Sequence, residues 1–460
     1  MEPKLIPAIA CSLALAACSA GPDYAHPSTP ARASGDFVAA DGEAVQRGAE
    51  VPQGWWKLYD DPVLDGLIAD ALAANTDLRI ALARLDQARA ALREVRADRL
   101  PQVGAAGSAE RGREGGQPSA ATGYQARLEV AYEVDLFGRI RREVEAARSD
   151  AAAAEADADA VRVVVVAETV RAYAETASAA DRLAVAHRIV ELLERSLHLT
   201  QRRVEIGVTL RIDSARIATL LNQRVAEIPA IAAERDSALF RLAMLTGRAP
   251  AELPPVAGAR TSPLRLDRPI PVGDGAQLLA RRPDVRAAER RLAAATARIG
   301  IATAELYPRI SIGGSAASRG SLGDLLQNPL AWFLGPLISW SFDDHSRARA
   351  RVAGAEAGTR AALAAFDGTV LRSLQETETA LSAYSKALQR RAALEAARDE
   401  AAVAARIIRA QQREGQVDSL ALLDAERTFA DTEAALADMD GRVAAAQIDL
   451  FRALGGGWSA

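Results

Sequence analysis

The sequence predicts a mainly helical chain that also carries membrane-type β-strands, built as an internal two-fold repeat. Three observations carry this prediction. The chain matches itself at long range, very long Ala-rich stretches show heptad spacing, and short segments between them alternate strictly between apolar and polar residues.

The self-match is found at an offset of roughly 205 to 210 residues. Leu100-Pro101-Gln102-Val103 aligns with Tyr307-Pro308-Arg309-Ile310, and Phe240-Arg241-Leu242-Ala243-Met244-Leu245-Thr246-Gly247 with Leu450-Phe451-Arg452-Ala453-Leu454-Gly455. A looser match pairs the run ending at Gly207 with the run ending at Gly415. Each half reads as helix, two strands, very long helix, turn and helix. The expected boundaries are 63–249 and 274–455, joined by a Pro-rich linker over 250–273, with a leading segment 18–62 and a short tail 456–460.

The long helices show seams. Val144, Ala147, Ala151, Ala154, Ala158, Val161 and Val165 are spaced by alternating threes and fours, and Phe366, Val370, Leu374, Thr377, Leu381, Tyr384 and Leu388 repeat the pattern. Each helix is expected to run roughly 65 residues, about 100 Å at 1.5 Å per residue. That length points to a rod or tube rather than a globule. Aromatics at only 4% and the dominance of Ala, Arg, Glu and Leu agree with it. A filamentous coiled coil without a pore is the alternative, and the strands argue against it.

From Tyr124 to Leu136 the even positions are Tyr124, Ala126, Leu128, Val130, Tyr132, Val134 and Leu136, while the odd ones are Gln125, Arg127, Glu129, Ala131, Glu133 and Asp135. This is the pattern of a strand with lipid on one face and water on the other. Ile310 and Ile312 alternate with Arg309 and Ser311, and Trp332, Leu334, Ile338, Trp340 and Phe342 share one parity. Pro101 to Glu110 is the weakest strand, carried mainly by Val103. A half-buried soluble sheet shows similar alternation. In lipid, however, an open strand edge leaves N–H and C=O groups without partners. Membrane barrels need at least about eight strands, so four from one chain cannot close alone; two chains pool eight and three pool twelve.

The N-terminus supplies a reason to expect lipid. Residues 1–17 read as a secretory signal, with Lys4 followed by an apolar run too short to span a bilayer. It ends Leu15-Ala16-Ala17-Cys18, which resembles a lipobox with Cys18 as the lipidated residue; an ordinary cleavage site before a Cys is the plainer alternative. Ser19 rather than Asp favours, by resemblance to lipoprotein sorting rules, the outer membrane. With Cys11 lost in the signal, Cys18 is the sole mature cysteine, so neither an internal disulfide nor a cysteine metal site is expected. The net charge of -4 and the lack of a basic block give nucleic-acid binding no support.

Arg281-Arg282-Pro283-Asp284-Val285-Arg286-Ala287-Ala288-Glu289, continuing to Ala304-Glu305-Leu306-Tyr307-Pro308-Arg309, resembles the signature of the TolC-like outer-membrane efflux proteins. So do Gly21-Pro22-Asp23-Tyr24 and Trp55-Trp56-Lys57-Leu58-Tyr59-Asp60-Asp61-Pro62. The resemblance covers essentially the whole mature chain and is strongest to the lipoprotein branch that serves resistance–nodulation–division pumps. It implies a homotrimer with a twelve-strand barrel in the outer membrane and a long-helix α-barrel tunnel in the periplasm. It further implies a passive conduit for small molecules such as drugs, working with a periplasmic adaptor and an inner-membrane pump. No cofactor is implied beyond the covalent lipid on Cys18.

By the same resemblance, the turns Gly207-Val208-Thr209 and Gly415-Gln416-Val417 form the periplasmic tip where an adaptor docks. Leu420, Asp424 and Arg427 match positions where an apolar ring and carboxylate–arginine contacts narrow the tunnel, and their helical spacing puts them on one face. Asp213 is a weaker tip candidate. Without the resemblance, Asp424 and Arg427 would be a routine surface pair. One departure is Asp344-His345-Ser346-Arg347, where the family commonly has Gly-Gly-Arg; the strand-to-helix turn is expected to differ there.

Enzyme chemistry finds no support. The four His residues lack metal-ligand spacing, and no Gly-x-Ser-x-Gly or phosphate loop occurs. Two alternatives remain: an outer-membrane conduit for type I protein secretion, and a non-conducting structural lipoprotein or adaptor. An adaptor would show one helical hairpin flanked by β-rich domains rather than this repeat.

Overall fold

The computed structural model describes residues 20–28, 33–40, 42, 44–52, 54–112, 121–266, 268–321, 329–340 and 345–456. The expectations for residues 1–17, Cys18, Phe342 and Asp344 lie outside these residues.

The two repeats are closely matched in length. The first runs α1 (Pro62–Ala74), α2 (Thr76–Ala97), β2 (Gln102–Gly112), β3 (Ala121–Glu133), α3 (Arg139–Glu205) and α4 (Arg211–Leu245). The second runs α5 (Gly275–Arg281), α6 (Pro283–Ala304), β5 (Arg309–Ser321), β6 (Ala331–Ser339), α7 (His345–Arg413) and α8 (Ser419–Ala453). Helices α2 and α6 have 22 residues each, α4 and α8 have 35 each, and α3 and α7 have 67 and 69. The heptad seams are where the sequence places them. Val144, Ala151, Ala158 and Val165 are buried, as are Phe366, Val370, Thr377, Leu381 and Tyr384.

The chain forms two compact units. One gathers the residues through Ser28 with Ala83–Ala156 and Arg286–Thr369, and holds strands β2, β3, β5 and β6; the other gathers Thr29–Leu82, Asp157–Val285 and Val370–Ala460. In the second unit the Pro-rich linker is more than a linker. Its end forms β4 (Ile270–Gly273), which pairs in parallel with β1 (Val45–Arg47) in the leading segment, Val45 opposite Ile270. Strands of three and four residues are too short to register as a periodic pattern, and Pro271 disguises the second of them.

The largest apolar cluster also lies in this second unit. Trp55 is fully buried and stacks on Phe451, with ring centroids 4.6 Å apart and planes 10° from parallel. The rest of the Trp55–Pro62 motif starts α1. The Asp61 carboxylate accepts from the Val63 and Leu64 amides at 2.9 and 3.2 Å, Pro62 takes the first helical position, and Tyr173 Oη and Arg260 Nη1 donate to the other oxygen at 2.8 and 3.0 Å.

Each repeat closes on itself by the same device. A helix C-terminus leaves carbonyls without partners, and something must donate to them. In the first repeat Asn75, at the break between α1 and α2, donates from Nδ2 to the Leu245 carbonyl at the end of α4, at 3.1 Å. In the second, Arg282, at the break between α5 and α6, donates from Nη1 to the Ala453 carbonyl at the end of α8, at 2.9 Å. Glycines past both helix ends are left-handed, with φ of +68° at Gly247 and +69° at Gly455. A Cβ at Gly247 would sit 2.8 Å from the Ala74 carbonyl oxygen, and one at Gly455 would sit 2.9 Å from the Arg282 Cγ. The Arg-Arg-Pro-Asp motif is therefore a clamp. Arg281 Nε donates to the Leu454 carbonyl at 2.9 Å, while Arg282 forks onto Asp284 at 3.0 and 2.7 Å and reaches Glu376 at 2.8 Å. Burial pulls the Arg282 pKa down, but the hydrogen bonds and charges of Asp284 and Glu376 outweigh it and leave the pKa raised.

In the first unit, Gly21-Pro22-Asp23-Tyr24 is held against helices. Arg142 of α3 donates to Asp23 Oδ1 at 2.6 Å and to the Ala20 carbonyl at 3.2 Å, and Tyr24 Oη donates to Glu289 of α6 at 2.9 Å. Gly21, with φ of +82°, packs where a Cβ would come within 2.5 Å of the Gly300 Cα.

Arg282→Ala leaves Asp284 and Glu376 without their guanidinium and the Ala453 carbonyl with only the Thr377 hydroxyl, at 3.3 Å. It is expected to cost about 2–4 kcal/mol, read as a lower denaturant or thermal midpoint. Arg282→Lys should recover only part of the loss, since an ammonium lacks the planar fork. Wild-type stability in the Ala variant would remove the clamp from this account.

Candidate functional site

The four long strands form one antiparallel sheet in the order β2-β3-β5-β6. Register decides which residues share a face. Val130 lies opposite Val103 and Gly314, Leu128 opposite Ala105 and Ala316, and Tyr132 opposite Ile312. Gly314 in turn faces Leu334, Ala316 faces Trp332, and Ile310 faces Ile338. Paired residues in an antiparallel ladder project to the same side. One face is thus Val103, Leu128, Val130, Tyr132, Ile310, Ile312, Trp332, Leu334 and Ile338, padded by Ala and Gly. The other carries Gln102, Ser108, Gln125, Arg127, Glu129, Ser315 and Arg319, with Phe333 and Leu337 as its apolar members. Arg127 Nη1 and Glu129 pair on that polar face at 2.8 Å.

The apolar face is bare. Trp332 is 76% exposed, Leu334 and Ile338 are 70%, and Leu128 is 48%. Among the described residues, neither edge, β2 or β6, has a further partner strand. Among the described residues, no helix is long and apolar enough to cross a membrane. These strands are what the chain offers to lipid.

The helix turns form a second feature. Gly207 and Gly415 end α3 and α7 at φ of +75° and +72°, and the next amides, Val208 and Gln416, donate back to the carbonyls of Arg203 and Gln411 at 2.9 Å. The two turns are braced to each other. Arg203 Nη2 donates to the Gln412 carbonyl at 2.8 Å, and the Thr209 and Ser419 hydroxyls lie 3.4 Å apart. Thr209 Oγ1 also donates to Asp213 at 2.6 Å, which gives Asp213 a local role. Asp418 caps α8 by accepting from the Ala421 amide at 2.9 Å. Val208 and Gln416 are exposed and Val417 is half-buried.

Leu420, Asp424 and Arg427 are all exposed, with Leu420 at 52%. Within the chain, Arg427 does not reach Asp424. Its Nε lies 3.8 Å from Asp431 Oδ2, one turn further along α8. Asp424 has no ion-pair partner among the described residues.

Sequence reasoning missed the residue on the other side of the same turn. Glu426 is 2% exposed and accepts from Arg409 Nε of α7 at 3.2 Å. Its second oxygen, and Arg409 Nη2, have no hydrogen-bond partner among the described residues. Burial raises the Glu426 pKa, and hydrogen bonds from Ser196 and Arg409 only partly offset this. A signal was available: the repeat sets Gln201 and Ala218 at the corresponding places, so at this depth the charged pair belongs to the second hairpin.

A two-faced membrane sheet with open edges, carried on paired helices of this length, defines the class of outer-membrane channels. The family model described as outer membrane efflux protein matches residues 67–248 and 275–456. The chain belongs to that family and is the outer-membrane channel component of an efflux pump. It is 33% identical to outer membrane protein OprJ of Pseudomonas aeruginosa, over 98% of this chain and 96% of that protein. It is 30% identical to the antibiotic efflux pump outer membrane protein ArpC of Pseudomonas putida, over 100% and 96%. Among solved structures, the outer-membrane channel OprN superposes with a TM-score of 0.89 at 37% identity, covering 96% of this chain and 100% of that one.

Glu426 sets a pH dependence. With its folded-state pKa raised, the folded protein holds the proton more tightly than the unfolded chain. Stability from this group therefore rises as pH falls through the folded-state value, and the gain is complete below the ordinary Glu range near ~4.3. Midpoints measured from neutral pH downward should show this gain in the wild type and not in Glu426→Gln. Parallel pH profiles for the two would count against it.

Proposed function

We propose that three copies of the chain pool their strands into a twelve-strand barrel and their long helices into a periplasmic tunnel, through which small molecules such as drugs pass outward. A resistance–nodulation–division pump in the inner membrane delivers the cargo, through a periplasmic adaptor that docks on Gly207-Val208-Thr209 and Gly415-Gln416-Val417. Cys18 carries the lipid anchor. The observation that carries this reading is the four-stranded sheet with one apolar face and two unpaired edges. Helix faces in the same unit support it. From His345 to Ala365, α7 buries only Ala348, and α2 buries no side chain beyond Leu85, so both offer open surface for a neighbouring copy. The antibiotic efflux named for the relative ArpC supports the cargo class.

Leu420 forms the apolar constriction of the gate, and Asp424 and Arg427 form its polar part. Their exposure leaves Asp424 available to an Arg427 of a neighbouring copy. Contacts of this kind are individually weak, about 0.2–1 kcal/mol for an exposed pair, which suits an element that must open.

Single-channel conductance of the purified protein in planar bilayers tests the reading. The wild type should give small, closed-like openings, and Asp424→Ala and Arg427→Ala should each enlarge the open fraction about twofold or more. No pore under any condition would overturn the conduit, and unchanged gating in both variants would remove these residues from the gate. Metabolic labelling with palmitate should mark the wild type and leave Cys18→Ser unlabelled.

A further inference from the structure

The carboxylate of Asp431 stands between two guanidinium groups, one toward each oxygen. Arg224, from the middle of α4, donates from Nη2 to Asp431 Oδ1, while its Nη1 reaches Glu227 at 3.0 Å. Arg427, one turn earlier on α8, directs Nε toward Asp431 Oδ2 at 3.8 Å. Arg427 has acidic residues on both sides along its helix, Asp424 three positions before and Asp431 four positions after, and both spacings allow contact. The chain uses the later one. Arg224 is mostly buried, so the carboxylate it grips is fixed to α4, whereas Arg427 is largely exposed and free to re-aim.

We infer that Asp431 is a positioning residue for the gate: it parks Arg427 away from Asp424, and Arg224 makes the strength of that parking depend on how α4 lies beside α8. This rests on the proposed gate. The parking is a competition for a single carboxylate. A firm Arg224 contact satisfies Asp431 and loosens its hold on Arg427; a lost one leaves Asp431 to Arg427 alone. The repeat sets Thr219 and Gln223 of α4 opposite Arg427 and Asp431, and Thr432 of α8 opposite Arg224, so the device occurs once per chain.

The test is the fraction of time open in planar bilayers, for the full-length protein. Asp431→Asn frees Arg427 for Asp424 and should shift the open-to-closed ratio about two- to fivefold toward closed. Asp431→Glu keeps the charge and should gate like the wild type. In an Arg427→Ala background, Asp431→Asn should have no further effect, which a merely structural role for Asp431 would not produce. Arg224→Gln should move the ratio the other way, toward open, and it carries the test if the Asn variant fails to assemble. Unchanged gating in Asp431→Asn or in Arg224→Gln, or an Asn effect that persists without Arg427, overturns the inference and leaves the gate standing. If Arg427→Ala and Asp424→Ala both leave gating unchanged, the gate fails and takes this inference with it; if only Arg427→Ala does, this inference alone falls.

Discussion

The edges of β2 and β6 are the constraint from which the rest follows. Strands of 11 and 9 residues end the sheet on either side, each presenting a row of backbone N–H and C=O groups with no strand partner among the described residues. In water such groups turn to solvent at little cost. In hydrocarbon each unpaired one costs several kcal/mol, more than any side-chain contact in this sheet can return. The bare apolar face makes the opposite demand, since Trp332, Leu334 and Ile338 are poorly served by water. The proposed assembly, closure with further copies, meets both demands. Pro336, which cannot donate to a ladder, lies in β6 and not in the central strands, as an edge strand allows.

The remainder of the molecule makes a single chain stable enough to present those edges. Two long helical hairpins need their ends held, and the repeat solves this twice with different chemistry. Asn75 does it with an amide, Arg282 with a guanidinium and two carboxylates, at corresponding places and against corresponding carbonyls. Gly247 and Gly455 survive in both halves because the contact leaves no room for a Cβ. What the duplication kept is the geometry, and what it changed is the charge.

The large features were legible because they are periodic. Strand β3 was plain from the alternation over Tyr124 to Leu136, though the strand itself stops at Glu133, and the helix seams from Val144 and Phe366 onward, since each pattern runs long enough to outweigh chance. The ends of α3 and α7 could be placed at Gly207 and Gly415 because a left-handed helix end calls for glycine. Strands β1 and β4 were not legible: three and four residues carry no period, and their parallel pairing joins segments more than two hundred residues apart. At the tip, the spacing of Leu420, Asp424 and Arg427 located a shared exposed face. It did not say which carboxylate Arg427 would take, because a partner three behind and one four ahead are both within reach on a helix. Glu426 was overlooked for a related reason. On an Ala-rich helix a carboxylate reads as solvated, and only the facing helix reveals that it is buried.

The two hairpins divide their labour along this line of charge. At the depth of Glu426 the first repeat offers Gln201, which is exposed, and Ala218, which is half-buried, so no charge is buried there. The second buries a carboxylate with one oxygen unpartnered beside a guanidinium with one nitrogen unpartnered. An ion pair so incompletely satisfied contributes little net stability, since the cost of burying its charges offsets most of their attraction. A hairpin built that way gains little at this depth, and local opening is drawn from the least stable elements of a structure. The exposed charges of the proposed gate sit on that same hairpin, within a turn of Glu426. For the proposed gate, an incompletely satisfied ion pair behind and weak exposed charges in front favour opening at α7 and α8.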